Sequence, residues 1–70
     1  MSGQLTINYQ GAHYRAHYES SSGFVTVDVS SDSFFQKAER SLGLEDPASV
    51  ARMTALEILR RAKDRGELAD

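Results

Sequence analysis

Two histidines come closest to metal chemistry. His13 and His17 form an H-x-x-x-H spacing. On a helix, residues four apart share a face, and two imidazoles there can hold zinc. On a strand they also share a face, but stand about 13 Å apart at ~3.3 Å per residue, too far for one ion. The residues around them favour a strand, so no metal and no other cofactor is expected. Serine is the abundant nucleophile type, at Ser20, Ser21, Ser22, Ser30, Ser31 and Ser33. All fall where turns are expected, and there the hydroxyls serve the local backbone. No spacing sets one against a histidine and a carboxylate. No catalytic residue, and no enzymatic activity, is therefore expected. The chain also lacks a P-loop and a GxGxxG, so no phosphate cradle is present.

Two further sets invite a nucleic-acid reading. Tyr9, Tyr14 and Tyr18 are of the type that stacks bases. They share their strand face with Leu5, Ile7, Val25, Val27 and Val29, however, and an apolar face of that kind needs a cover. They are assigned to the core, with hydroxyls at the rim. Arg52, Arg60 and Lys63 lie along one side of an expected helix, with Leu56 among them, as a possible phosphate-binding stripe. A solvated helix face explains them more simply. Net charge is −2 and pI about 5.6, so the chain is not steered toward phosphate backbones. Nucleic acid is not expected as a partner.

The elements that must position these residues follow from periodicity. Leu5, Ile7 and Tyr9 alternate with polar residues, as do Tyr14, Ala16 and Tyr18, and then Val25, Val27 and Val29. Three period-2 runs predict strands at about 4–10, 12–19 and 24–30. Turns belong at Gln10-Gly11 and within Ser20–Gly23. A two-residue turn at Gln10-Gly11 pairs Tyr9 with Ala12, Ile7 with Tyr14 and Leu5 with Ala16. A turn at Ser21-Ser22 pairs Tyr18 with Val25, Ala16 with Val27 and Tyr14 with Val29, and sets Arg15 opposite Asp28. Both registers gather the apolar residues on one face.

Asp46-Pro47 opens a helix over about 47–65, with a carboxylate N-cap, Pro at the first helical position and Gly66 at the stop. Ala48, Ala51, Ala55, Ile58, Leu59 and Ala62 form its apolar face. Glu57 and Arg61 make an i,i+4 pair. For residues 32–42 a helix is expected, capped by Asp32 or Ser33, with Phe34, Ala38 and Leu42 on one face; a fourth strand is the alternative. The expected fold is α+β: a three-stranded antiparallel meander with a long C-terminal helix on one face, in the order β-β-β-α-α, as a single domain over 1–70. Its core is Leu5, Ile7, Tyr14, Ala16, Tyr18, Val25, Val27, Val29, Ala51, Ala55, Ile58 and Leu59.

Two resemblances attach to these elements. His17-Tyr18-Glu19, a Ser/Gly turn, Phe24-Val25-Thr26-Val27 and then Pro47 through Leu59 resemble a group of small uncharacterised bacterial α+β proteins. That resemblance implies a bacterial source and a short sheet followed by a Pro-started helix, and implies no activity. Where that group has a Gly-rich hairpin this chain has Phe34-Phe35-Gln36-Lys37-Ala38-Glu39, a departure that speaks for the helix there. Separately, Val25-Thr26-Val27-Asp28-Val29 before helices 32–42 and 47–65 resembles the ribbon-helix-helix order. That implies a dimeric DNA-binding regulator with Phe24, Thr26 and Asp28 facing the bases. Asp28 and Phe24 suit that role poorly, and two earlier strands would crowd the ribbon.

Composition bounds the function. No cysteine is present, which excludes disulfide staples and thiolate chemistry. No apolar run exceeds two residues, so no membrane span and no leader are expected, and a cytoplasmic setting is compatible. A core in a chain this short rarely supplies more than ~3–5 kcal/mol. Phe24, Phe35, Val50 and Met53 are apolar positions that one core does not obviously accommodate. They make a possible interaction surface. The expected function is a noncatalytic protein-interaction module that pairs with a protein partner or with itself as a homodimer; the ribbon-helix-helix regulator is the alternative.

Overall fold

The structure, a computed structural model, describes residues 1–68; positions 69 and 70 of the expected domain lie outside the described residues. Four strands, β1 (Ser2–Tyr9), β2 (Ala12–Ser21), β3 (Phe24–Ser31) and β4 (Phe34–Ser41), pair antiparallel in sequence order. Helix α1 (Pro47–Asp64) lies across one face and packs most closely on β3. The fold is α+β, with a four-stranded meander: the alternative of a fourth strand, rather than the expected second helix, is what the chain adopts.

The correction falls on residues 32–42. Asp32-Ser33 is a tight turn rather than a helix cap, and Phe34–Ser41 form a strand. Gln36, Lys37, Ala38, Glu39 and Arg40 favour helix intrinsically, but tertiary pairing overrides that preference. Without β4, β3 would be the sheet's rim. With β4 in place β3 is internal, and Val25, Val27 and Val29 beneath α1 are fully buried. Burial of each such side chain is worth about 1.5–3 kcal/mol. That gain exceeds the few tenths of a kcal/mol per residue at stake in helix propensity.

The β1–β2 register is the expected one, with Tyr9 opposite Ala12, Ile7 opposite Tyr14 and Leu5 opposite Ala16. The β2–β3 register differs by two residues: Tyr18 faces Val27 and Ala16 faces Val29. The turn is Ser22-Gly23, not Ser21-Ser22, with φ of 54° and 80°. A two-residue hairpin turn of this kind needs positive φ at both central positions, and glycine takes the second without steric cost. Because the slip is even, the apolar face is unchanged. Arg15 consequently stands opposite Ser30, and His17 replaces it opposite Asp28.

Eleven of the twelve expected core residues are buried; Leu5, on the edge strand β1, is half-buried and packs against them. Thr54 and Ala62 are buried as well, and Thr54 Oγ1 donates to the Val50 carbonyl at 2.7 Å, so its hydroxyl is satisfied inside the helix. Ala51, Ala55 and Ala62 let α1 lie close to the valines. The helix begins as expected: Asp46 accepts from the Ser49 N–H at 3.1 Å. It ends at Asp64 with Arg65 as C-cap, closed by Gly66 N–H to the Lys63 carbonyl and Glu67 N–H to the Ala62 carbonyl. Glu57 lies 3.9 Å from Arg61 and 3.5 Å from Arg40 of β4. Both contacts are partly solvated and add little stability; only the one from Arg40 links α1 to β4.

On the helix-covered face, Tyr14 and Phe34 meet edge to face with centroids 6.3 Å apart. Ser31 separates them: it pairs with Phe34, and one residue beyond the last β2–β3 pair, Arg15 with Ser30, it stands level with Tyr14. Two aromatics flanking a serine on one rung thus close over it.

Candidate functional site

Among the described residues nothing covers the sheet face away from α1. Period-2 geometry places His13, Arg15, His17 and Glu19 of β2 on it, with Phe24, Thr26 and Asp28 of β3 and Phe35, Lys37 and Glu39 of β4. Cross-strand registers arrange these in rungs. One rung reads Ser21, Phe24, Ser41; the next Glu19, Thr26, Glu39; the next His17, Asp28, Lys37. A shallow depression of about 480 Å³ lies over them, lined among others by His17, Glu19, Phe24, Lys37 and Glu39. It is a dish on the surface, not an enclosed cleft of the kind that holds a small substrate.

The chemistry of this face is sparse. His13 and His17 are both exposed on β2, as the strand reading required. His17 Nδ1 is 3.8 Å from Asp28 Oδ2, an ion pair only when the imidazole is protonated. Among the described residues no three His, Asp or Glu side chains cluster as metal ligands. Among the same residues the hydroxyl bonds of serine run to the Met1 carbonyl (from Ser20) and to Asp46 (from Ser49), not to histidine.

The four apolar positions singled out by sequence do not form one surface in a single chain. Phe24 and Phe35 are 47% and 65% exposed on the open face, but Phe24 is level with Ser41 and Phe35 with Ser30. Six residues of strand separate those levels, about 20 Å. Met53, 66% exposed, lies on α1, on the other side of the sheet. Val50 is half-buried on α1 and packs against the core, away from the open face that carries Phe24 and Phe35. Arg52, Arg60 and Lys63 are exposed on α1 beside Glu57 and Asp64, so that side of the helix carries both signs of charge. The strand–helix–helix order behind the ribbon-helix-helix resemblance is absent: β3 is flanked on both sides by strands, and 34–41 is itself a strand. Phe24, Thr26 and Asp28 therefore sit in the middle of a sheet and not on a projecting ribbon.

What sequence reasoning missed is that residues 34–41 form an edge of the sheet. Among the described residues β4 pairs with β3 on one side only, in a register unbroken from Phe34 to Ser41. The Leu42 N–H donates to the Gly23 carbonyl at 2.8 Å, and the even residues of β4 turn their backbone groups toward β3 in step with it. The odd residues Phe35, Lys37, Glu39 and Ser41 therefore point N–H and C=O away from the sheet. Arg40 Nη1 donates to the Glu39 carbonyl at 3.1 Å, which marks that carbonyl as turned outward. Among the described residues the carboxylate of Glu39 and the ammonium of Lys37 have no ion-pair partner. Residues 34–41 carry no apolar–polar alternation to signal a strand, and the apolar spacing from Phe34 to Ala38 fits a helix equally well.

Comparison with family models, with curated proteins and with solved structures finds no match. No described helix is long and apolar enough to cross a membrane. The functional reading rests on this chain's own surfaces.

Proposed function

We propose that the chain is a noncatalytic protein-interaction module that associates with itself through the open edge of its sheet. The observation that carries this reading is β4, eight residues of regular strand with alternate backbone donors and acceptors directed at solvent. Such an edge is a template for pairing with another strand. Natural edges are commonly blunted by proline, a bulge, extreme shortness or charged side chains. β4 has no proline and no bulge, and its open-face charges, Lys37 and Glu39, are of opposite sign and so can pair with a second strand rather than only repel it. A protein ligand suits the remaining surface better than a small molecule does, because the open face is broad, shallow and studded with two exposed phenylalanines. Sedimentation velocity from low to high micromolar concentration tests the reading. A concentration-dependent rise from monomer to dimer supports it, and a monomer at every concentration overturns it.

A further inference from the structure

We infer that two copies of the chain pair β4 against β4 about a two-fold axis normal to the sheet, with Ala38 opposite Ala38 and Lys37 opposite Glu39 of the second copy. The inference rests on the self-association just proposed and names its register. The result is a continuous eight-stranded antiparallel sheet with both helices on one side.

Backbone geometry limits the registers. Only the odd residues of β4 have free N–H and C=O groups, so an odd residue must face an odd residue. A slip of one residue would also set the covered face of one copy level with the open face of the other. Charge chooses among the registers that remain. With Ala38 opposite Ala38, Lys37 faces Glu39 of the second copy, and symmetry repeats the pair. A slip of two residues one way sets Lys37 against Lys37; the other way it sets Glu39 against Glu39. Opposite charges across a rung attract and like charges repel. The rung across the seam then reads His17, Asp28, Lys37 and, in the second copy, Glu39, Thr26, Glu19. Charge of alternating sign runs from His17, when protonated, to Glu39 of the second copy.

The same register resolves the two exposed phenylalanines. Phe24 pairs with Ser41. Across the seam Ser41 meets Phe35 of the second copy. The two rings, about 20 Å apart along the strands of one chain, come to flank a single serine at two strand spacings, about 10 Å between backbones. The chain already holds this arrangement once, where Tyr14 and Phe34 flank Ser31 and meet with centroids 6.3 Å apart. Two copies would form it twice more, on the open face. The other edge offers no comparable selection. The open-face residues of β1 are Ser2, Gln4, Thr6 and Asn8, all uncharged and small or polar, so no register there is favoured by charge. The contact of Arg40 with the Glu39 carbonyl does not block pairing, because a carbonyl oxygen accepts two hydrogen bonds.

A charge-exchange experiment tests the register. Lys37→Glu and Glu39→Lys are made separately and studied by sedimentation velocity at low ionic strength, alone and as an equimolar mixture. Each variant alone sets like charges against each other twice, and its dimer is expected to weaken about tenfold. In the mixture every pair is again Glu against Lys, and a heterodimer of near wild-type affinity is expected. Glu39→Lys takes the net charge from −2 to zero, so general repulsion does not account for its loss. Both positions are exposed, and recovery in the mixture shows that each variant is folded. A wild-type dimer whose variants pair equally well alone, or do not recover on mixing, overturns the register and leaves self-association standing. A wild-type chain that stays monomeric at high micromolar concentration overturns both.

Discussion

Gly3 occupies a position that a methyl group would overfill. It faces Tyr18 across the β1–β2 ladder, and the tyrosine ring leans over it. A Cβ at Gly3 would lie 2.6, 2.7 and 2.8 Å from Oη, Cζ and Cε1 of Tyr18. Three atoms of one ring are too close at once, so turning the hydroxyl end does not relieve the clash; the whole ring must move. Tyr18 is buried and belongs to the core cluster under α1, which resists that movement. Overpacking of this kind costs about 1–3 kcal/mol. In a domain of this size each kcal/mol lowers Tm by roughly 4–8 °C, so Gly3→Ala is expected to lower it by at least about 4 °C. The cause is steric and specific to Tyr18, which gives a sharper test. In a Tyr18→Val background the ring is gone, and the same Gly3→Ala change is expected to stabilise by ~0.4–1 kcal/mol, because alanine restricts the unfolded chain. Urea denaturation of the four proteins of the cycle measures both numbers. Equal effects of Gly3→Ala in the two backgrounds would show that the Tyr18 ring is not the obstacle.

Leu59→Ala empties a fully buried site between α1 and the sheet. The expected cost of about 2–5 kcal/mol is comparable with the whole stability of so small a core, so circular dichroism at 25 °C should show a largely unfolded chain, or a greatly reduced urea midpoint. Asp46→Ala removes the acceptor for the Ser49 N–H and is expected to cost about 0.5–2 kcal/mol, with Asp46→Asn losing much less, both read from urea midpoints.

The legible parts of the fold were those where two independent signals agreed. At Gln10-Gly11 the turn residues and the alternation on either side specify the same register, and it is the one observed. Asp46-Pro47 and Gly66 bracket α1 to within a residue. Where one signal stood alone it misled. Phe34, Ala38 and Leu42 are spaced by four, which puts residues on one face of a helix and equally on one face of a strand. The same ambiguity attends His13 and His17, and there the neighbouring tyrosines resolved it. In 34–41 the helix-forming side chains tipped the reading, because the demand of β3 for a second neighbour is a tertiary effect that local preference does not express. The candidate site suffered the same loss. Phe24 and Phe35 were visible as surplus apolar residues, but their relation depends on β4 and, in the proposed dimer, on a second chain. Val50 looked surplus only because its packing against the core depends on how α1 is rotated over the sheet.

The proposed pairing of β4 with β4 places Ala38 at the two-fold axis. The chain has no cysteine, so a single one can be introduced without competition. Opposed residues whose backbone groups turn away from each other stand about 4.5 Å apart between Cα atoms, within the range a disulfide spans. Ala38→Cys under mild oxidation is predicted to yield a covalent dimer far faster than Thr6→Cys on the β1 edge. Equal rates at the two positions, or no covalent dimer from Ala38→Cys at concentrations where the chain self-associates, would contradict the account.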